Sequence, residues 1–305
     1  MRAMSAMRSM PAAVSTAVGP AWRGPDREVE VLAVFPRAIY AIAGDDLLVV
    51  ATADGIHQPN GAVVRPTSLE RPFAGVRAGQ HGRVGDHRLT VEALQVTVAR
   101  WWEPTPRLAP FDPSVLADRA AIAAVRVRSV AGELPAMLRR PLTAVVAGLA
   151  AADPDIAFDA AIRLVGAGPG LTPAGDDLMA GVVSGTLLLA SGRSGSGRSG
   201  SGRVSTAAAA LGARIAAAAP GRTTTISAAL LQHAARAEVA VPAARFLHAL
   251  TGRVDIVTAT DGLLAVGSTS GRDLAVGMLA AVTLVLDDAS TVGDDRSIVH
   301  LTEAC

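Results

Sequence analysis

Lysine is missing from this 305-residue chain, in which all 28 basic residues are arginine. That absence excludes a P-loop of the G-x-x-x-x-G-K-[ST] kind, a pyridoxal Schiff base and a Ser-x-x-Lys acyl-transfer site, each of which depends on a lysine nitrogen. Cysteine is nearly missing as well. Its one copy, Cys305, allows no intrachain disulfide and no cysteine-ligated zinc, and fits a reducing, cytoplasmic setting. The six histidines (His57, His81, His87, His233, His248, His300) show neither His-x-x-x-His nor H-E-x-x-H spacing, so no pair is set on one helix face for zinc. Aromatics make up only 3%, and the net charge of +1 is dispersed. No basic face interleaved with aromatics is present to follow a phosphate backbone, so nucleic acid is not an expected partner. Long apolar runs are also lacking: Leu178 to Ala190 and Leu274 to Leu286 are 13 residues each, short of the ~20 that cross a bilayer. These stretches are expected to be buried core helices, with no membrane partner.

Half of the residues are apolar, enough for a substantial core. Residues 1–27 begin with methionines at 1, 4, 7 and 10 and contain Pro11, Pro20 and Pro25, which predicts a disordered leader. From Glu28 short alternating segments follow one another with frequent turns at Gly44-Asp45-Asp46, Asp54-Gly55, Pro59-Asn60-Gly61 and Gly85-Asp86. Beyond the proline cluster Pro104 to Pro113 the apolar period becomes helical, with only Val254 to Thr258 and Gly262 to Val266 reading as extended. The expected fold class is α+β: a small antiparallel β-rich domain over residues 28–110, then a mainly helical domain over 111–290, then a tail over 291–305. Ser191 to Arg203, built of Ser-Gly-Arg units with Arg193, Arg198 and Arg203, reads as a flexible insertion.

Two loops share the pattern Gly-x-Asp-Leu-x-x-Gly: Gly175, Asp177, Leu178 and Gly181 in one, Gly271, Asp273, Leu274 and Gly277 in the other. Each runs into one of the 13-residue apolar stretches. In the first, Gly166, Gly168 and Gly170 allow positive φ and close backbone approach to a ligand, and Thr172-Pro173 has the form of an N-cap followed by proline at N1. Free N–H groups of a first helical turn favour phosphate or carboxylate. Asp176 and Asp177 repel an anion and suit a divalent cation such as Mg²⁺ or the N–H₂ of an amide, urea or carbamoyl group. The ligand that fits both is one with an anionic end and an amide end; no cofactor is certain. Asp177 and Gly181, like Asp273 and Gly277, are four residues apart and share a helix face, so two helices packed through their glycines bring the aspartates together. Aspartates in a first turn also simply complement the helix dipole. Thr269, Ser270 and Gly271 precede the second helix, and Arg222, Thr224 and Ser227 mark a third candidate start.

At these residues the chain resembles the AllH-type family, which includes a subunit of a bacterial oxamate carbamoyltransferase. The resemblance rests on GAGPGLTPAGDD (Gly166 to Asp177), Gly267 to Asp273 with Gly277, the run Thr223 to Ser227, and Val34-Phe-Pro-Arg-Ala38. It implies a β-rich domain followed by a helical one, and work as one part of a multi-subunit complex that takes oxalurate and phosphate to oxamate and carbamoyl phosphate in the catabolism of allantoin-type nitrogen. Asp176, Asp177 and Asp273 are then the candidate catalytic residues. Gly168, Gly170, Thr172, Gly175, Arg222, Thr224, Ser227, Thr269, Ser270 and Gly271 are the candidate binding residues. Ala174 stands where the usual pattern has serine, and the Ser-Gly-Arg insertion is a second departure. A non-catalytic ligand-binding or scaffolding subunit and a divalent-metal-dependent hydrolase are the alternatives.

Overall fold

The computed structural model describes residues 8–92, 94–193 and 202–290, and the chain divides into two compact units after Pro104. The first unit contains eight strands: β1 (Arg8–Ser15), β2 (Arg27–Phe35), β3 (Ala38–Ala43), β4 (Asp46–Ala51), β5 (Gly61–Val64), β6 (His81–Gly85), β7 (Arg88–Val91) and β8 (Leu94–Trp102), with the short helix α1 (Gly19–Arg23) after β1. They close into a barrel in the order β1-β5-β4-β3-β2-β6-β7-β8. Alternate residues such as Met10, Ala12 and Val14, Val29 and Val31, Ile39 and Ala41, Leu48 and Val50, and Leu89 and Val91 form one core, as a two-residue period requires.

This overturns the expected small antiparallel domain, although α+β holds for the chain as a whole. The hairpins β2-β3-β4 and β6-β7-β8 are antiparallel, and the β6–β7 turn uses Asp86 and His87 in the left-handed region (φ 45° and 62°), as a two-residue hairpin prefers. The closure is different. β1 runs parallel to β8, Arg8 opposite Leu94 through Ser15 opposite Trp102, and β4 runs parallel to β5. β1 lies inside the stretch expected to be a disordered leader, of which residues 1–7 fall outside the described residues. Pro11 is tolerated in it because pairing with β5 begins only at Ala12, so its missing N–H removes no ladder bond on that side.

The second unit holds nine helices among its described residues: α2 (Pro113–Ala131), α3 (Ala136–Ala150), α4 (Pro154–Ala161), α5 (Ala174–Arg193), α6 (Arg203–Ala218), α7 (Thr225–Ala235), α8 (Val241–Leu250), α9 (Ile256–Leu264) and α10 (Ser270–Ser290). Starts follow capping chemistry: Asp112, Asp153, Thr224 and Asp255 accept first-turn N–H groups of α2, α4, α7 and α9. The runs Val254 to Thr258 and Gly262 to Val266 are not extended. The Asp255 cap, 2.7 Å from the Thr258 nitrogen, commits this β-branched segment to α9. Of the expected flexible insertion, residues 191–193 end α5 and Arg203 opens α6, while 194–201, with Arg198, lie outside the described residues, as does the tail 291–305. No helix among the described residues is long and apolar enough to cross a membrane.

α5 and α10 lie side by side in the centre, running the same way and buried along most of their length. Their contact is reciprocal. A Cβ on Gly181 would strike the Leu274 carbonyl and the Gly277 Cα, and a Cβ on Gly277 would strike the Leu178 carbonyl and the Gly181 Cα. The arrangement extends outward in duplicate. Gly175 sits against the Leu164 carbonyl before α5, as Gly271 does against the Leu263 carbonyl before α10. Arg214 of α6 pairs with Asp155 of α4 at 2.5 Å, and Arg126 of α2 forks onto Asp261 of α9 at 2.7 and 3.0 Å.

Gly277→Ala is therefore expected to destabilise the protein by ~1–3 kcal/mol, since the added methyl must push two backbones apart. Gly262 of α9 has open space where its Cβ would stand, so Gly262→Ala should be neutral or stabilising by up to ~1 kcal/mol through helix propensity. Urea melts of the two variants check the contrast, and equal midpoints would refute the glycine-contact account.

Candidate functional site

The segments leading into α5, α7 and α10 meet. Thr172 Oγ1 lies 2.7 Å from Ser270 Oγ, joining the first to the third, and Thr224 Oγ1 donates to the Leu171 carbonyl at 2.5 Å, joining the second to the first. Gly166, at φ +77°, packs where any Cβ would strike the Arg222 carbonyl, so this position requires glycine. Thr172 does not cap α5 as its place before Pro173 suggested; its hydroxyl is spent on the bridge to Ser270. Thr224 does cap α7, accepting from the Ser227 nitrogen at 3.1 Å.

The three aspartates have separate tasks. Asp176 is buried and satisfied: it accepts the Gly166 N–H at 2.8 Å and the Thr223 hydroxyl. It ties two of the loops together. Asp273 is fully buried, and its Oδ1 receives Arg272, with Nε at 2.8 Å and Nη2 at 2.7 Å. Burial pushes its pKa up, and the Arg272 guanidinium pulls part of that back. Asp177 is 8% exposed and, among the described residues, has no cationic partner and no hydrogen bond to its buried Oδ2. Burial chiefly raises its pKa to about 8; the Asp273 and Asp176 carboxylates push the same way, and the hydroxyls of Ser270 and Thr172 oppose them. The positive end of a helix favours an ionised aspartate by only ~0.3–1 kcal/mol, so desolvation prevails here.

Around these carboxyls the other expected residues fall into three groups. Gly168 and Gly170, with φ of +120° and +100°, and Thr269 are exposed at the rim. Gly175 and Gly271 are buried and act as spacers, each packed on a carbonyl. Ser227 is buried with an unpartnered Oγ, and Ser270 stands beside Asp177. Arg222 is exposed, and its side chain has no hydrogen-bond partner among the described residues. Two residues escaped the sequence reading. Thr223 holds Asp176, and Arg272 holds Asp273. Arg272 was detectable, because aligning the two loops puts it opposite Asp176, the one place where the copies differ in charge.

The three aspartates do not make a metal centre. No group of three or more His, Cys, Asp or Glu among the described residues is arranged to hold an ion, and Asp176 and Asp273 already spend oxygens on protein donors. What the arrangement offers is hydroxyls, those of Thr172 and Ser270 nearest, around a carboxyl that carries its proton at neutral pH, while the N–H groups of Gly175, Asp176, Asp177, Gly271 and Asp273 are already bonded to carbonyls. Such a carboxyl presents one donor and one acceptor, the complement of an amide edge.

Asp177 gives a pH signature. Between about pH 4 and pH 8 the folded chain keeps a proton that the unfolded chain has released, so stability falls as pH rises through that window and levels off above it. Asp177→Asn should remove this slope, leaving the variant comparable at pH 4 and more stable than the parent at pH 8.5. The gain is a few kcal/mol, since each pH unit between the unfolded and folded ionisation midpoints is worth ~1.4 kcal/mol. Denaturant melts at the two pH values measure it; parallel pH profiles would show that Asp177 is ordinarily acidic.

A family model described as oxamate carbamoyltransferase subunit AllH matches residues 164–282, which span all three helix starts and the whole Gly181–Gly277 contact. No curated protein and no solved structure matches the chain. Over residues 164–282 the chain is similar to that family.

Proposed function

We propose that this chain carries the carbamoyl-transfer site of an oxamate carbamoyltransferase-like complex, working with partner subunits in the catabolism of allantoin-type nitrogen. The observation that carries the reading is Asp177: a protonated carboxyl with a free oxygen, placed among the hydroxyls where three helix starts meet. Oxalurate supplies a carboxylate and a carbamoyl group, and phosphate is the acceptor. The loop N–H groups around Gly168 and Gly170, with the Thr269 hydroxyl, receive anionic oxygens. Ser227, Ser270 and the carboxyl C=O of the Asp177 side chain receive or orient the carbamoyl end.

In the transfer, a phosphate oxygen bonds to the carbamoyl carbon and the bond from that carbon to the inner amide nitrogen breaks. The nitrogen takes the Asp177 proton and leaves as the amide of oxamate. Asp177, now a carboxylate, recovers a proton from the hydrogen phosphate that attacked. Proton donation of this kind accelerates a reaction by ~10²–10⁴-fold. The reaction requires no lysine, cysteine or histidine. The same geometry suits a subunit that binds and orients substrate while partners complete the site, so the assay must use the assembled complex.

Phosphate-dependent conversion of oxalurate by the co-purified complex is the test. The rate is expected to fall as pH rises through about 8, where Asp177 loses its proton. Asp177→Asn should lower it by at least ~100-fold at pH 7 without unfolding the chain. Turnover within a few-fold of the parent would return Asp177 to a structural role.

A further inference from the structure

Arg272 is the guanidinium that these helix starts hold against a carboxylate, and its setting is unusual for a surface arginine. Its side chain is 16% exposed and lies against the fully buried Asp273. Nε and Nη2 converge on Asp273 Oδ1, which fixes the plane of the group. The opposite edge is not used: Nη1 has no partner among the described residues and is not among the sealed, unsatisfied atoms. Asp273 Oδ2 and Asp177 Oδ2 are both buried and unpartnered, so this junction holds polar atoms that the protein leaves open. A buried pair whose only purpose was packing would be replaceable by apolar residues with little loss.

The geometry points to Arg272 as the receptor for the carboxylate of the substrate's oxamyl end, with Asp273 as the residue that positions it; this inference rests on the carbamoyltransferase reading above. An arginine held along its Nε–Nη2 edge presents the Nη1–Nη2 edge as a planar two-donor fork, the match for the two oxygens of a carboxylate. Phosphate is tetrahedral and needs no planar fork, which suits the exposed glycine-rich loop around Gly168 and Gly170. The two anions of the reaction are thereby assigned to different helix starts, α10 for the carboxylate and the loop before α5 for phosphate. In oxamate a single carbonyl carbon separates the carboxylate from the amide nitrogen. A carboxylate on Arg272 therefore leaves that nitrogen toward Asp177, which lies on the neighbouring start that the Thr172–Ser270 contact joins to α10.

The test is calorimetric titration of the co-purified complex with oxamate and, separately, with inorganic phosphate. Arg272→Lys keeps the charge and loses the fork. It should weaken oxamate by at least ~10-fold and leave phosphate within ~2-fold, and Asp273→Asn should show the same selective loss at an unchanged melting temperature. Should either single variant fail to fold, the double variant Arg272→Met with Asp273→Asn removes the buried charge pair and carries the same expectation. Oxamate affinity that survives in these variants overturns the role of Arg272 and leaves the carbamoyltransferase reading standing. Equal loss of oxamate and phosphate overturns the assignment of the two anions. A parent complex that binds no oxamate overturns both this inference and the reading beneath it.

Discussion

The contact on which the rest depends is the reciprocal seating of Gly181 and Gly277 on each other's helix. With no Cβ at either position, α5 and α10 approach until backbone meets carbonyl, and a side chain of any size would separate them. That closeness has a second effect one turn upstream. Asp177 and Asp273 lie on the same helix faces as the two glycines, so the seam that brings the glycines together also carries both carboxyls out of water. Close packing and the electrostatics of the site are one feature.

Duplication explains the framework, and divergence at one position explains the chemistry. Each copy has a spacer glycine on the preceding carbonyl, an aspartate two residues later and a contact glycine four residues after that. Between spacer and aspartate the first copy has Asp176 and the second Arg272. Arg272 gives Asp273 a counter-charge; Asp176 gives Asp177 another negative neighbour. Two equivalent carboxyls thus enter different environments, one offset by a guanidinium and one left to hold its proton. Pairs of carboxyls driven apart in this way are how one fold provides an acid beside a fixed charge.

The helix starts were legible because glycine, proline, threonine and aspartate act locally: Thr224 caps α7 as its sequence indicates, and the repeated motif foretold the meeting of α5 and α10. The barrel was not. Its closing pair, β1 with β8, joins segments at opposite ends of the first unit, and nothing within a short window distinguishes Arg8–Ser15 from an unstructured leader. The helix α9 was misread because its Val and Thr content suits a strand, while the Asp255 cap and burial of Ile256, Ala259 and Leu263 against the helical core prevail. Thr172 was misassigned for a related reason: a hydroxyl before proline looks like a cap until a partner from a distant loop, Ser270, takes it. Local chemistry predicts where elements begin; long-range contact decides what a side chain at that point does.

A neutral carboxyl is self-consistent with the proposed binding of two anions at these helix starts. In the proposed reaction an ionised Asp177 would repel the phosphate and the carboxylate and so weaken their binding. Protonated, it repels neither. The coupling also runs the other way, because an anion bound nearby disfavours ionisation and raises the pKa of Asp177 further. In the proposed reaction, substrate binding therefore holds the proton in place until the departing nitrogen becomes basic enough to take it. When it does, the new carboxylate finds itself beside phosphate and Asp273 in a dry seam, and that repulsion favours both recovery of the proton and release of the anionic products.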